Sequence, residues 1–447
     1  MNDAGLVSQH TLRGIQLMNL GRFADAEKAF REALSENVHD AVALHQLAAC
    51  LYQQPNRLIS ALSTIRSAIA VEPAEAGHFA LEALILCRLR RGKDALAAGQ
   101  MALQLDPNSG FALTALTQVY LDQQEWAEAE RTARQALTLD PEHAFAANQL
   151  AHALRMQNKL DENAGQIAGM LARDPENALT HVNAGWSALQ RGQRRDAETH
   201  FREALRLDPE LDNAREGLLS SFRARSRFYR GYLRYCFFMQ RLKSRARWAV
   251  VIGLYLAMRL ANQVFTGPYR FLGIGLGVVY FAFVMWVWIA KGVGNFILLF
   301  DGFARHALRQ GEKIEAMAVG GCVACGIPLL IGGLVLGFGL GGGEHSDAAA
   351  AKQAAKYADE AFLPLVTGVG LIAAAFPLAL TFTNPSRVGS RLFGAIGAAI
   401  LLCTLLLVVN EFAHLMSNKV SAGIFTVTLV ACALSTWLGN VPALRRQ

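Results

Sequence analysis

The short motif with chemical promise is Cys322-x-x-Cys325: two thiols three residues apart share one helix face and could hold a soft metal or form a redox pair. Its surroundings favour packing. Gly326 stands where haem attachment needs a histidine, no second cysteine pair completes a four-thiolate set, and the neighbours are Gly, Ala and Val, among which cysteine behaves as a small apolar residue. Two charges fall within or at the end of apolar runs, Arg259 and Glu411, where an ionisable group is costly and invites a functional reading. Three readings stay open: an arginine reaching headgroups with a glutamate already in water, an Arg259–Glu411 pair locking two helices, or an ion or proton pathway. Glu344, His345 and Asp347 form a loop cluster of catalytic types, in a Gly/Ala-rich stretch that reads as a spacer. No phosphate-binding loop, HExxH helix or serine nucleophile elbow occurs, and the histidines are dispersed. The sequence therefore predicts no enzyme and no cofactor. The seven scattered cysteines predict no disulfide framework.

The elements that carry these residues meet two solvents. Of 447 residues 53% are hydrophobic and 18% charged. Up to about residue 245 the chain is polar and Ala-rich, and beyond Trp248 it becomes long apolar runs. The net charge of +7 divides unevenly: residues 1–210 carry −6, residues 211–247 carry +8 and the last 200 carry +5. An acidic N-terminal half disfavours nucleic-acid binding. The first apolar-periodic segment carries Arg13, Arg22 and Lys28, so no secretory signal is expected and this half is expected in the cytoplasm.

Prolines 73, 107, 141, 175 and 209 recur every 34 residues, four of them ending Leu105-Asp106-Pro107, Leu139-Asp140-Pro141, Arg173-Asp174-Pro175 and Leu207-Asp208-Pro209. Each unit reads as two amphipathic helices with small residues where they cross. Gly14, Gly21, Phe23, Ala26, Phe30 and Ala33 mark the first unit, Leu116, Tyr120, Trp126, Ala129 and Ala136 the fourth, and Gly185, Gly192, Ala197, Phe201 and Ala204 the sixth. In these residues the chain resembles the tetratricopeptide repeat (TPR) family over roughly residues 7–210. Gly92, where the family has an aromatic, and Asn163, where it has alanine, predict looser packing in the third and fifth units. Residues 211–222 begin like one more first helix, with Leu218, Leu219 and Phe222 in register, as a closing helix would.

The resemblance implies a concave groove lined by the first helix of each repeat and binding a protein or peptide. The family register puts Gln46, Gln118, Asn148, Gln149, His152, Arg155, Asn183 and Trp186 in it, a patch richer in amides than in charge. The Lys/Asn pattern by which some relatives clamp a chaperone's C-terminal carboxylate does not occur, first-helix positions including Thr11 and Ile15 instead, so chaperone-tail binding is not predicted.

From Ser220 to Trp248 arginines interleave with Phe, Tyr and Leu, as in a helix at the membrane surface. Arg223, Arg225, Arg227, Arg230, Arg234, Arg241, Lys243, Arg245 and Arg247 are then expected to reach anionic headgroups. Six apolar stretches are long enough to span a bilayer, near 248–266, 270–290, 316–340, 361–383, 392–410 and 420–439. Pro328 and Pro364 are tolerated there. Residues 292–310 read as an in-plane amphipathic helix or as an extension of the second span. The Lys/Arg bias of the connections puts both termini in the cytoplasm of a multi-pass inner-membrane protein. Gly273 and Gly277, and Gly333, Gly337 and Gly341, are spaced for close helix approach and could also serve homo-oligomerisation. The expected molecule is all-α: a TPR solenoid at 1–210, a capping and juxtamembrane segment at 211–247 and a transmembrane bundle at 248–447. It is read as a scaffold that recruits a cytoplasmic partner, or alternatively as a TPR-regulated transporter.

Overall fold

Pro73, Pro107, Pro141 and Pro175, each two residues before the first-helix cap of one of the last four repeats, and a left-handed residue between paired helices build the repeats. The structure is a computed structural model that describes residues 8–54, 56–265, 269–338, 348–384, 386–413 and 416–439, whose regular elements are all helical. Six helix pairs follow one another: α1 (Gln9–Asn19) with α2 (Phe23–Glu36), α3 (Ala41–Gln53) with α4 (Leu58–Val71), α5 (Ala76–Arg88) with α6 (Gly92–Leu105), α7 (Gly110–Asp122) with α8 (Trp126–Leu139), α9 (Ala144–Met156) with α10 (Leu160–Arg173), and α11 (Ala178–Gln190) with α12 (Arg194–Leu207). The side chains of Asp40, Glu75, Ser109, His143 and Asn177 cap α3, α5, α7, α9 and α11 by accepting a hydrogen bond from a free backbone N–H. Gly21, Asn56, Arg90, Gln124, Asn158 and Gly192 end the first helices with φ between 61° and 81°. The next amide then bonds back into the helix, as Gln193 N–H does to Ala188 O at 2.9 Å and Glu125 N–H to Tyr120 O at 2.9 Å.

Small residues fill the crossings. Ala26, Ala61, Ala95, Ala129 and Ala197 are fully buried at equivalent places in the second helices. Gly14 and Gly185 lie under the rings of Phe30 and Phe201, where an added Cβ would stand 2.5 and 2.6 Å from a ring carbon. The two departures from the repeat pattern meet polar partners, while the Asn163 Oδ1 is buried and accepts no hydrogen bond among the described residues. Asn163 is fully buried and donates to Ser187 Oγ at 3.0 Å, and Gln123 Nε2 donates to the Gly92 carbonyl at 2.7 Å.

Beyond the repeats come α13 (Asp212–Arg223), α14 (Arg227–Arg241), α15 (Ser244–Val264), α16 (Arg270–Leu299), the short α17 (Ala304–Ala307) and α18 (Gln310–Glu315). A π turn at Ala316–Gly320 leads into α19 (Gly321–Phe338), followed by α20 (Ala348–Thr383), α21 (Arg387–Ala413) and α22 (Asn418–Leu438). The residues expected to close the array form α13, in which Ala214 packs with Val182 and Ala204 of the last repeat, while Leu218, Leu219 and Phe222 are buried in the second unit. The chain divides into two units, one of residues up to Ala214 together with Phe237–Arg247, the other of Arg215–Cys236 together with everything from Trp248 on. The segment 211–247, read from sequence as one piece, is thus shared between them.

Among the described residues of the second unit, four helical stretches are long and apolar enough to cross a membrane: Gly275–Leu299, Gln310–Leu336, Ala361–Thr383 and Arg387–Ala413. Six were expected. The first expected span falls mostly in α15, where Arg259, Asn262 and Gln263 dilute the apolar run, and the sixth lies in α22, whose apolar stretch Lys419–Ser435 is shorter. Residues 292–299 continue α16 instead of forming a separate helix in the membrane plane. Pro328 sits inside α19, and Pro364 and Pro377 inside α20.

Glycines set the close approaches in this unit. A Cβ at Gly333 would meet Leu365 at 2.6 Å, and one at Gly368 would meet the Leu330 backbone at 2.6 Å, so α19 and α20 touch nearly backbone to backbone. Gly273 fits against Asn262 in the same way at 2.9 Å, whereas Gly277 is only in ordinary contact with it. Gly341 and the cluster Glu344, His345 and Asp347 lie outside the described residues.

Candidate partner-binding groove

The first helices of the last three repeats are held side by side by amide side chains. Gln149 Nε2 on α9 donates to Thr114 O on α7 at 3.0 Å and to Gln118 Oε1 at 3.4 Å. Asn183 Nδ2 on α11 donates to Asn148 Oδ1 at 2.8 Å, and Asn148 Nδ2 donates to Thr180 Oγ1 at 3.3 Å. Gln190 Nε2 reaches the Arg155 carbonyl at 3.4 Å. Asn148 and Gln149 are buried, so this finding corrects their reading as free groove donors: they join neighbouring repeats. Gln46, Gln118, His152, Asn183 and Trp186 remain partly exposed. Trp186 is fixed by an edge contact with Phe201 at 5.3 Å and by donating from Nε1 to Asn213 Oδ1 at 2.9 Å.

Burial decides the electrostatics here. His152, 6.2 Å from the Trp126 ring, has its pKa pushed down to about 3, first by burial and then by the charge of Arg155, and is neutral near pH 7. Burial, and then the charge of Arg241, also push the Arg155 guanidinium down, although arginine keeps its proton. Arg155 is 8% exposed and its Nε has no hydrogen-bond partner among the described residues.

Arg241 belongs to the basic segment expected at the membrane surface. Trp126 Nε1 donates to the Arg241 carbonyl at 3.1 Å, Phe237 meets Trp186 edge-on at 6.4 Å, Lys243 pairs with Glu125 at 2.7 Å, and Arg247 donates to Gln124 Oε1 at 3.0 Å. Residues 237–247 therefore cross repeats six, five and four in reverse chain order. Gln124, Glu125 and Trp126, the turn between α7 and α8, join the site; repeat patterning marks Trp126 only as a packing residue.

The other basic residues separate by environment. Arg223 is buried, which overturns its assignment to a lipid surface: it donates to Asn295 Oδ1 at 2.8 Å, Glu216 Oε1 at 2.8 Å and Tyr229 Oη at 3.3 Å. Glu216 and Tyr229 hold its pKa above the ordinary arginine value against the opposing effect of burial. Arg225 pairs with Asp301 and lies 4.9 Å over the Phe222 ring. Arg227, Arg230 and Arg234 are exposed along one side of α14. Of Arg245 only the backbone is described, within α15.

Among the described residues no ion pair joins Arg259, exposed on α15, to Glu411, half-buried on α21. Cys322 packs beside Val319, Val323 and Ala375 while Cys325 is exposed, and no three metal-ligating side chains converge among the described residues. A shallow hollow at the start of α21 is lined by Asn384, Ser386, Arg387, Ser390 and Arg391. In it Asn384 accepts from the Ser386 amide at 2.9 Å and Ser390 donates to Thr381 O at 2.7 Å.

A tetratricopeptide repeat family model matches residues 11–58, 114–178 and 182–230. No curated protein matches the chain. Similar solved structures include YrrB, described as a TPR protein with an unusual peptide-binding site (23% identity, 42% of this chain and 96% of that one, TM-score 0.32). PilW, a type IV pilus biogenesis factor, is 19% identical over 47% of this chain and 100% of its own (TM-score 0.41), and PilF of Pseudomonas aeruginosa is 20% identical over 46% and 94% (TM-score 0.38). With its 34-residue helix pairs, their shared left-handed turns and this match, the chain is a member of the tetratricopeptide repeat superfamily.

Proposed function

We propose that this protein is a membrane-anchored scaffold that holds a cytoplasmic protein or peptide partner through the first-helix face of its repeats. The observation that carries the reading is the joining, in one chain, of a TPR array to four helices long and apolar enough to cross a membrane. TPR domains bind protein or peptide partners. The Lys/Arg bias of the connections supports a multi-pass arrangement in the inner membrane with repeats and termini in the cytoplasm. Exposed Arg227, Arg230 and Arg234 support contact with anionic headgroups next to the lipid. The partly exposed Gln46, Gln118, Asn183 and Trp186 supply the polar and aromatic groups that an interface uses.

Crosslinking and affinity purification of the intact protein in mild detergent, beside a Trp186→Ala variant and a version lacking residues 1–210, test the reading. Partners are expected with the intact chain and lost with the truncated one. The same partners in both would refute recruitment through the repeats.

A further inference from the structure

Four of the five places where residues 237–247 meet the repeats are complementary: an aromatic edge on Trp186, a main-chain acceptor for Trp126, a cation on Glu125 and a donor to Gln124. The fifth is mismatched. Trp126 holds the Arg241 backbone on the face that carries His152 and Arg155, the like charge of Arg241 acts on Arg155, and among the described residues the Nε of each guanidinium is buried with no hydrogen-bond partner. Among the described residues no carboxylate pairs with either one. A buried guanidinium calls for a planar acceptor with two oxygens. The segment present cannot offer one.

We propose that residues 237–247 are a resident, replaceable ligand of this face, and that the partner it fits is a helical protein segment with an aromatic residue at the place of Phe237 and a carboxylate one turn later, at the place of Arg241. The proposal rests on the repeat face being the recruiting surface and adds the chemistry of what is recruited. The aromatic side chain takes over the edge of Trp186, and the carboxylate answers the open Nε of Arg155. Repulsion between Arg155 and Arg241 weakens the internal ligand, so a partner differing at that one position displaces it, and a second cationic segment is rejected. Lys243 and Glu125, 62% and 39% exposed, add little to holding the segment.

The test uses the full-length protein in detergent micelles and two synthetic peptides covering residues 233–247, one with the native sequence and one carrying Arg241→Glu. The Glu peptide is expected to bind at least tenfold tighter and to speed amide hydrogen exchange of residues 238–247 in the chain. Arg241→Glu in the protein itself is expected to slow exchange there several-fold and to weaken the Glu peptide at least tenfold. Arg155→Gln, which keeps a polar side chain of similar reach, should bring the two peptides within about twofold of each other. Equal binding of both peptides, no binding of either, binding that leaves 238–247 protected, or unchanged exchange in the Arg241→Glu protein would each overturn the proposal. These readouts need no natural partner, so they hold even if affinity purification retrieves none. A partner captured equally by wild type and Arg241→Glu would show that recruitment bypasses this face.

Discussion

At the residue scale, the clearest consequences come from glycines under rings and from partly buried histidines. Gly185→Ala would push a methyl group into Phe201 in a closed helix pair, and is expected to destabilise the repeats by about 1–3 kcal/mol, read as a lower melting temperature by circular dichroism. His45, whose Nδ1 lies 3.0 Å from His78 Nδ1, has its pKa lowered to about 4, chiefly by burial and then by His78, with Glu75 opposing. His152 is lowered to about 3. The sign follows from proton uptake. The unfolded chain protonates these rings near their ordinary 6.5 while the folded chain does not, so their contribution is intact above pH 6.5. It is lost as the pH falls from 6.5 toward 4 for His45 and toward 3 for His152. Thermal melts from pH 7.5 to 5 should show stability falling, and the double variant His45→Gln/His152→Gln should flatten that slope.

At the scale of elements, one turn geometry recurs with four residue types. Gly21 and Gly192 adopt the left-handed conformation freely, whereas Asn56, Arg90, Gln124 and Asn158 hold it with side chains. Gly192→Ala is expected to cost about 1 kcal/mol, while Arg90→Gly should be neutral or slightly stabilising; denaturant titration of both variants gives the comparison. The repeat architecture was legible because it rests on local rules that recur: proline spacing, small residues at crossings, a residue able to turn left-handed. Span number was less legible. Length and apolarity read over a window leave α15 and α22 near the threshold, where Arg259, Asn262 and Gln263 or a few missing residues decide. The fate of Asn148 and Gln149 was hidden as well, because a groove-facing amide and one bonded to the neighbouring repeat occupy the same register and differ only in what lies 3 Å away.

At the scale of the whole molecule, Arg223 anchors a polar cluster in the second unit that includes Glu216, Asn295 and Tyr229, with Lys291 3.6 Å from Glu216 and Arg215 2.9 Å from Glu312. Arg223→Ala removes the bonds donated to Asn295, Glu216, Ser220 and Tyr229 and leaves Asn295 without its donor. It is expected to lower the stability of that unit by about 3 kcal/mol, with Arg223→Lys restoring little because a single ammonium cannot reproduce the planar guanidinium's set of donors. Melting of the full chain in detergent checks this. Vesicle flotation checks the membrane reading: replacing Arg227, Arg230 and Arg234 with Gln should reduce binding to anionic vesicles and leave binding to neutral ones unchanged.

The sequence by itself determined that this chain is all-helical, that its first half is a tandem array of 34-residue helix pairs and that its second half carries apolar helices of membrane length. Those properties follow from periodicity and composition, which a linear pattern records. Only the tertiary structure decided what the basic boundary does. Composition treats nine cations between residues 223 and 247 alike. The fold buries Arg223 among hydrogen-bond acceptors, leaves Arg227, Arg230 and Arg234 exposed, and sets the charge of Arg241 against that of Arg155, because partners 72 and 86 residues apart in the chain are chosen by packing and not by spacing.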